Sequence, residues 1–282
     1  VSQFHPNFSR EYLQDKVIVL TGGARGIGRN LVELCVQHGA YVCFGDIDEK
    51  AGHDIQEAIN ADRDSPSAKF VRVDVTNYQS VLALFKIAFS WHGRIDHVIA
   101  NAGAPPTTVL DVNLLGCIYC ARIASVYLRQ NRSENQDRSL TLVSSVAGFK
   151  ESPGLFLYQA SKHGVLGLMR SLRKYISLPT TNNIRVNAIC PWMTETGMVA
   201  GIEEGWRKAN LPTNQPLDVA KVIAGVVSDP GLNGTSMYVE GGRAWEIEQN
   251  LDRLQPQWLG EEPSRSLERG QAVLGEGMEW AQ

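Results

Sequence analysis

Apolar residues fall along this chain in short runs, separated by stretches in which they recur every three to four positions. The runs at 17–20, 41–45, 70–73, 97–100, 140–143, 185–189 and 237–239 are apolar nearly throughout and do not alternate. That pattern suits strands covered on both faces, as in a parallel sheet between helices. Helical periodicity fills the intervals at 28–37, 49–60, 78–91, 108–129, 158–178 and 217–227. Strand and helix therefore alternate, which predicts an α/β fold with right-handed crossovers: a doubly wound, Rossmann-type parallel sheet with helices on both faces, in a single domain. Residues 1–249 form the expected domain. Residues 250–282 differ, being rich in Glu, Arg, Gln, Gly and Pro with Trp258 and Trp280 embedded. They read as a C-terminal extension, either a solvated tail or an arm packed on a neighbouring subunit or over the site.

Composition narrows the class without naming it. A chain of 282 residues can bury a sizeable core without disulfides or metals. It is 43% hydrophobic and 20% charged, as in soluble globular proteins. A net charge of -3 and the lack of a long basic run give no sign of a nucleic-acid or anionic-membrane partner. The longest apolar stretches are strand-sized or amphipathic, so no membrane span is expected. The first fifteen residues lack the charged start and apolar centre of a signal peptide. Five cysteines (Cys35, Cys43, Cys117, Cys120 and Cys190) sit inside apolar segments, an odd number that suits reduced, buried thiols in a cytoplasmic protein. Cys117 and Cys120 form a C-x-x-C with no second pair, which reads as core; no metal site is expected.

The first strand runs into Thr21-Gly22-Gly23-Ala24-Arg25-Gly26-Ile27-Gly28, and a helix follows. Glycines here allow a tight turn, let backbone N–H groups approach a pyrophosphate, and let the helix pack close to the sheet. The helix N-terminus adds partial positive charge. The second strand ends at Asp46, where a carboxylate accepts hydrogen bonds from the hydroxyls of an adenosine ribose and repels a 2′-phosphate. NAD is thus expected over NADP, with Arg25 a partial offset toward NADP. The alternative for Asp46 is a turn or cap residue, but Asp48 is better placed to cap the following helix.

Two further features carry chemistry. Tyr158-Gln159-Ala160-Ser161-Lys162 places a phenol and an ammonium one helical turn apart, and Ser144-Ser145 ends a strand upstream. Tyr-x-x-x-Lys alone is weak. In order, however, the chain shows T-G-x-x-x-G-x-G, the acidic residue, Asp74-Val75, Asn101-Ala102-Gly103, Asn113, the serine and Tyr-x-x-x-Lys. Together these resemble the short-chain dehydrogenase/reductase family over about residues 16–242. The part around 144–168 resembles hydroxyprostaglandin-dehydrogenase-type members, and Pro191-Trp192-Met193-Thr194 is similar to a variant among fungal members.

The resemblance implies a catalytic set of Asn113, Ser145, Tyr158 and Lys162. Lys162 would favour the phenolate of Tyr158, and Ser145 would donate to the substrate oxygen. Asn113 would fix a helix irregularity. Ser144 is the alternative serine. The implied cofactor-binding residues are Gly22, Arg25, Gly26, Ile27, Gly28, Asp46, Ile47, Asp74, Val75, Asn101, Ala102, Gly103, Tyr158, Lys162, Pro191, Met193, Thr194 and Thr196. The implied substrate contacts are Ser145, Ala147, Leu155, Trp192 and Met198, with a substrate loop over about 192–215. Phe149, Phe156 and Trp206 add apolar surface there. One departure is the connection at 104–110, shorter than is usual in the family. The expected function is hydride transfer between NAD(H) and a secondary alcohol or ketone of a hydrophobic small molecule, with secondary metabolism as a setting. An NADPH-dependent ketoreductase and a nucleotide-binding sensor or scaffold stand as alternatives. A homodimer or homotetramer is expected.

Overall fold

The computed structural model describes residues 3–61, 63–103, 108–133, 136–175, 184–199, 201 and 203–276. Among the described residues the strands are β1 (Gln3–Phe4), β2 (Val17–Thr21), β3 (Tyr41–Asp46), β4 (Ala68–Arg72), β5 (His97–Ala100), β6 (Ser139–Val143), β7 (Arg185–Pro191), β8 (Ser236–Glu240) and β9 (Arg243–Glu246). They form one sheet in the order β1-β9-β8-β7-β6-β5-β2-β3-β4. The seven from β2 to β8 pair in parallel, as expected. Every residue of β2, β5, β6 and β7 is buried, so these runs could not alternate in polarity. Chain order reverses between β2 and β5, which opens a crevice beyond their C-terminal ends, where ligands bind in sheets of this kind.

The helices are α1 (Arg10–Leu13), α2 (Gly26–Gln37), α3 (Glu49–Asn60), α4 (Tyr78–His92), α5 (Gly116–Tyr127), α6 (Phe156–Tyr175), α7 (Glu203–Lys208), α8 (Pro216–Ser228), α9 (Glu248–Arg253), α10 (Gln255–Leu259) and α11 (Glu261–Glu276). Two cores result, one on each face of the sheet. On one, Leu31 of α2, Ile55 of α3 and Ile223 of α8 pack around Leu20 and Phe44. On the other, Phe85 of α4, Ala121 of α5 and Met169 of α6 pack around Val19 and Val98. All five cysteines are buried free thiols within these cores. Burial pushes the thiols of Cys35, Cys43, Cys117 and Cys190 up to about 12 and raises that of Cys120 as well, so none is a ready thiolate.

Three elements depart from the sequence reading. The apolar stretch expected as one helix over 108–129 begins with a π-helical turn, Leu110–Leu115, before α5. The segment Leu110–Tyr127 has the length and mean hydropathy (1.2) of a membrane span. Here it packs on β5 and β6 and buries Cys117, Cys120 and Ala124. Second, an antiparallel edge of β9 and β1 extends the parallel sheet. Third, α9 spans the expected boundary at 249/250, and α10 and α11 follow it, a helical stretch that the sequence reading did not predict. The expected helix over 158–178 starts at Phe156, and its last three positions lie outside the described residues, as does Trp280.

A buried polar cluster closes the opposite end of the sheet. Asp96 accepts from the Val17 N–H (2.7 Å) and pairs with Arg94 and Arg138. Beside it, His97 Nδ1 meets Ser139 Oγ at 2.8 Å. Burial is the main cause of a His97 pKa lowered to about 4 from 6.5. The unfolded imidazole takes a proton below about pH 6.5 and the folded one only near 4, so stability is lost as the pH falls through that window. The loss from this residue is expected to be on the order of 3 kcal/mol. Melting curves from pH 7 to 4 check it: Tm should decline, and the decline should be shallower in His97→Asn.

Candidate active site

The crevice is built from the glycine turn outward. After Thr21, the N–H groups of Gly22 and Gly23 donate to Gly45 O (2.8 and 3.2 Å), which fastens the turn to β3. Gly22 has φ 73°, and a Cβ there would lie 2.7 Å from Ala102 Cα. A Cβ on Gly28 would lie 1.9 Å from Gly22 O, against backbone that cannot yield. Asn101 Nδ2 also donates to Gly22 O (2.9 Å). Thus Asn101 and Ala102, at the end of β5, meet the turn at the end of β2. No side chain caps the N-terminus of α2, so its first N–H groups face the turn. A cradle that admits no Cβ, edged by backbone donors, fits a dinucleotide pyrophosphate. Gly28→Ala is expected to cost about 2 kcal/mol of stability. It should also weaken adenine-nucleotide binding, and melting and titration measurements together check both effects.

At the β3 end, Asp46 Oδ2 accepts the Ala24 N–H (2.9 Å) and Oδ1 the Asp48 N–H (3.1 Å). Its carboxylate therefore ties the glycine turn to the next loop. Ile47 is exposed beside it. Asp48 caps α3 through the Ala51 N–H (3.1 Å), as expected. Asp74 Oδ1 accepts the N–H and hydroxyl of Thr76 (2.9 and 2.7 Å), and Val75 is buried behind it.

The four expected catalytic residues come from three elements. The π-helical turn carries Asn113, which is buried and donates from Nδ2 to Ser161 Oγ (3.3 Å). The Ser161 hydroxyl in turn donates to Tyr158 O (2.7 Å). The irregular turn is thereby joined to the first turns of α6. Lys162 is buried and donates from Nζ to Val143 O (3.0 Å); the same nitrogen lies 5.6 Å from the centre of the Tyr158 ring. The two serines separate cleanly. Ser144 Oγ donates to Lys162 O (2.9 Å), while Ser145 Oγ donates to Pro191 O (3.4 Å) and accepts the Ala147 N–H (3.2 Å). Ser144 is thus a brace between β6 and α6, and Ser145 turns toward the end of β7.

The segment after β7 crosses this region. Met193 and Thr194 are buried, and Thr196 Cγ2 lies 3.2 Å from where a Gly26 Cβ would stand. The Thr194 hydroxyl donates to Trp192 O (2.9 Å). The Trp192 ring meets Trp206 of α7 edge to face at 5.0 Å, and Trp206 Nε1 donates to Pro212 O (2.9 Å). Trp192 therefore braces the expected substrate loop against α7. Asn214 fastens the loop's far end, donating to Val239 O (3.0 Å). Leu155, Phe156 and Met198 are exposed at the rim, and Met198 Cε lies 3.3 Å from where a Gly103 Cβ would stand. Ala147 is buried behind Ser145, and Phe149 packs edge to face on Tyr238 (6.1 Å). Most of the short connection, residues 104–107, lies outside the described residues. Ser161 and Asn214 were not singled out from the sequence. Ser161 stands inside the Tyr-x-x-x-Lys motif, the one signal that could have marked it; nothing in the pattern marks Asn214.

A parallel sheet that reverses order at a glycine turn, with serine, tyrosine and lysine gathered beyond it, defines a dinucleotide-linked oxidoreductase. The sequence profile of short chain dehydrogenases matches residues 16–206. The short-chain dehydrogenase/reductase ascJ of Acremonium egyptiacum is 33% identical over 258 residues, 85% of this chain and 83% of that one. The 5′-hydroxyaverantin dehydrogenase of Dothistroma septosporum is 26% identical over 288 residues, 89% of this chain and 91% of that one. In fold, the chain is similar to a 3-ketoacyl-(acyl-carrier-protein) reductase from Brucella melitensis solved with NADH (TM-score 0.73, 24% identity, 82% of this chain and 98% of that one). The chain belongs to the short-chain dehydrogenase/reductase family and is an NAD(P)-dependent oxidoreductase acting on CH–OH groups.

Proposed function

We propose that the protein moves a hydride between NAD(H) and a secondary alcohol or ketone on a hydrophobic small molecule. The observation that carries this reading is the approach of Lys162 Nζ to the Tyr158 ring at 5.6 Å, next to a serine whose hydroxyl is turned toward the end of β7. When bound, the nicotinamide cofactor supplies or accepts the hydride. Tyr158 exchanges a proton with the substrate oxygen, and Ser145 donates a hydrogen bond to it as negative charge develops. Lys162 lends positive charge to the phenol and would hold the nicotinamide ribose. Asn113 positions α6 through Ser161. The turn at Gly22, Gly26, Ile27 and Gly28 would hold the pyrophosphate, and Asp46 and Ile47 the adenosine end. Asp74, Val75, Asn101, Ala102 and Gly103 would line the middle, and Pro191, Met193, Thr194 and Thr196 the nicotinamide end.

A carboxylate at the ribose supports NAD over NADP. The apolar rim of Leu155, Phe156 and Met198, backed by the Trp192–Trp206 pair, supports a hydrophobic substrate. The fungal relative named for 5′-hydroxyaverantin fits secondary metabolism as a setting. Five buried free thiols suit the reducing cytoplasm. The exposed Leu110, Ile118 and Val126, on one long helical segment, support a homodimer or homotetramer. Sedimentation at micromolar concentration tests the assembly, which fails if only monomer is seen. The deciding experiment compares NADH and NADPH side by side against hydrophobic ketones and alcohols. Turnover with NAD(H) on apolar substrates is expected. Turnover restricted to charged substrates, or to NADPH, would overturn the corresponding part of the reading.

A further inference from the structure

Arg25 and Asp48 flank Asp46, one on the glycine turn and one on the loop into α3. The Arg25 guanidinium is paired with the Asp48 carboxylate. The partners differ in freedom. The Arg25 side chain is 79% exposed, whereas that of Asp48 is 22% exposed. Asp48 is fixed by the backbone: its Oδ1 accepts the Ala51 N–H (3.1 Å), and its own N–H donates to Asp46 Oδ1 (3.1 Å). The Ala51 hydrogen bond, aided by Arg25, keeps its carboxyl below the usual carboxylate range. A short, anchored anion therefore holds a long, exposed cation. Lys50, on the first turn of α3, is likewise taken up by Asp54 (2.8 Å).

We infer that Asp48 is a specificity-determining residue: it occupies the guanidinium of Arg25, which would otherwise bind a 2′-phosphate on the adenosine ribose. This rests on the proposed placement of that ribose at Asp46. A guanidinium beside such a ribose is suited to a phosphate, which it can grip through two N–H groups at once. Here the grip is already used by a carboxylate. An arriving 2′-phosphate must displace Asp48 and then face two carboxylates, Asp46 and Asp48, with one cation between them. A ribose with a free 2′-hydroxyl meets no such competition. The pair is too exposed to matter much to folding. Its effect is on where charge stands, so discrimination is set by two acidic residues, of which the strand-end Asp46 is only the first.

Calorimetric titration of the whole protein with adenosine 5′-monophosphate and adenosine 2′,5′-bisphosphate separates the steps, since these probes differ only in the 2′-phosphate. Asp48→Asn keeps a cap for α3 and removes the charge. It should tighten 2′,5′-bisphosphate binding at least ~10-fold and leave the monophosphate within ~2-fold. Asp48→Ser, also a capping residue, should give the same gain, and adding Arg25→Ala should abolish it. Unchanged 2′,5′-bisphosphate binding in both single variants, with the monophosphate still bound, would overturn the role of Asp48 and leave the ribose placement standing. If Asp46→Ala does not alter binding of either probe, the ribose placement fails and the inference fails with it.

Discussion

Tyr158→Phe is expected to lower turnover about a thousandfold and to leave nicotinamide-cofactor binding within about twofold, the size of effect that follows removal of a general acid–base group. The change takes away one hydroxyl and keeps the ring beside Lys162 Nζ. The backbone carbonyl of residue 158, which accepts from Ser161, is untouched, so the link from Asn113 to α6 survives. The variant should therefore fold, bind and fail to transfer the proton. Steady-state rates on a hydrophobic ketone, together with a fluorescence titration of NADH, check both halves. Near-wild-type turnover would remove Tyr158 from the chemistry. Loss of cofactor binding with the activity would show that the hydroxyl is chiefly a binding group.

What the sequence disclosed follows from where its constraints are local. The central parallel strands were legible because burial on both faces leaves an unbroken apolar run, as in Val17–Thr21. Their order was not, since pairing β2 with β5 depends on contacts 79 residues apart, such as Asn101 to Gly22 O. The hairpin of β8 and β9 had a local signature in Gly241-Gly242, both at positive φ between the paired Glu240 and Arg243. Its second strand was not legible because β9, Arg243-Ala244-Trp245-Glu246, lacks the apolar run that marks the buried strands, and β1, which pairs with it, has two residues. The glycine turn, Asp46 and the Tyr-x-x-x-Lys pair were legible because each needs a particular residue at a fixed spacing. Of the two serines after β6, the resemblance pointed to Ser145 by its spacing to Tyr158; their different partners, Lys162 O and Pro191 O, were not legible in the sequence. For the C-terminal extension, composition left a solvated tail and a packed arm both open; the helix that leads into it, α9, begins at Glu248, whose carboxylate is buried.

That carboxylate gives the second large expected effect: Glu248→Ala should destabilise the protein by about 3 kcal/mol. Glu248 is 2% exposed, and Arg170 of α6 donates to both of its oxygens (3.0 and 2.9 Å), with Arg173 at 3.6 Å. Removing it leaves Arg170 without its carboxylate, while Arg173 keeps Asp252 (3.2 Å) and Gly234 O (3.1 Å). The Arg170 side chain is 39% exposed and can turn to water, which puts the cost at the lower end of that for a broken buried pair. The reverse change is not equivalent. In Arg170→Ala the carboxylate stays buried and is left with Arg173 alone at 3.6 Å, so the loss should be larger, about 4 kcal/mol. Urea unfolding of both variants checks the asymmetry, and a smaller loss in Arg170→Ala would show that Arg173 alone is partner enough for the buried carboxylate. The contact joins α9 to the helix that presents Tyr158 and Lys162 at its other end, two to four turns away. If α9 only stabilises α6, Glu248→Ala should shift the unfolding midpoint and leave the turnover number of the folded fraction as it was. A fall in that number at a temperature where the variant is folded would mean that α9 also sets the position of the helix that carries Tyr158 and Lys162.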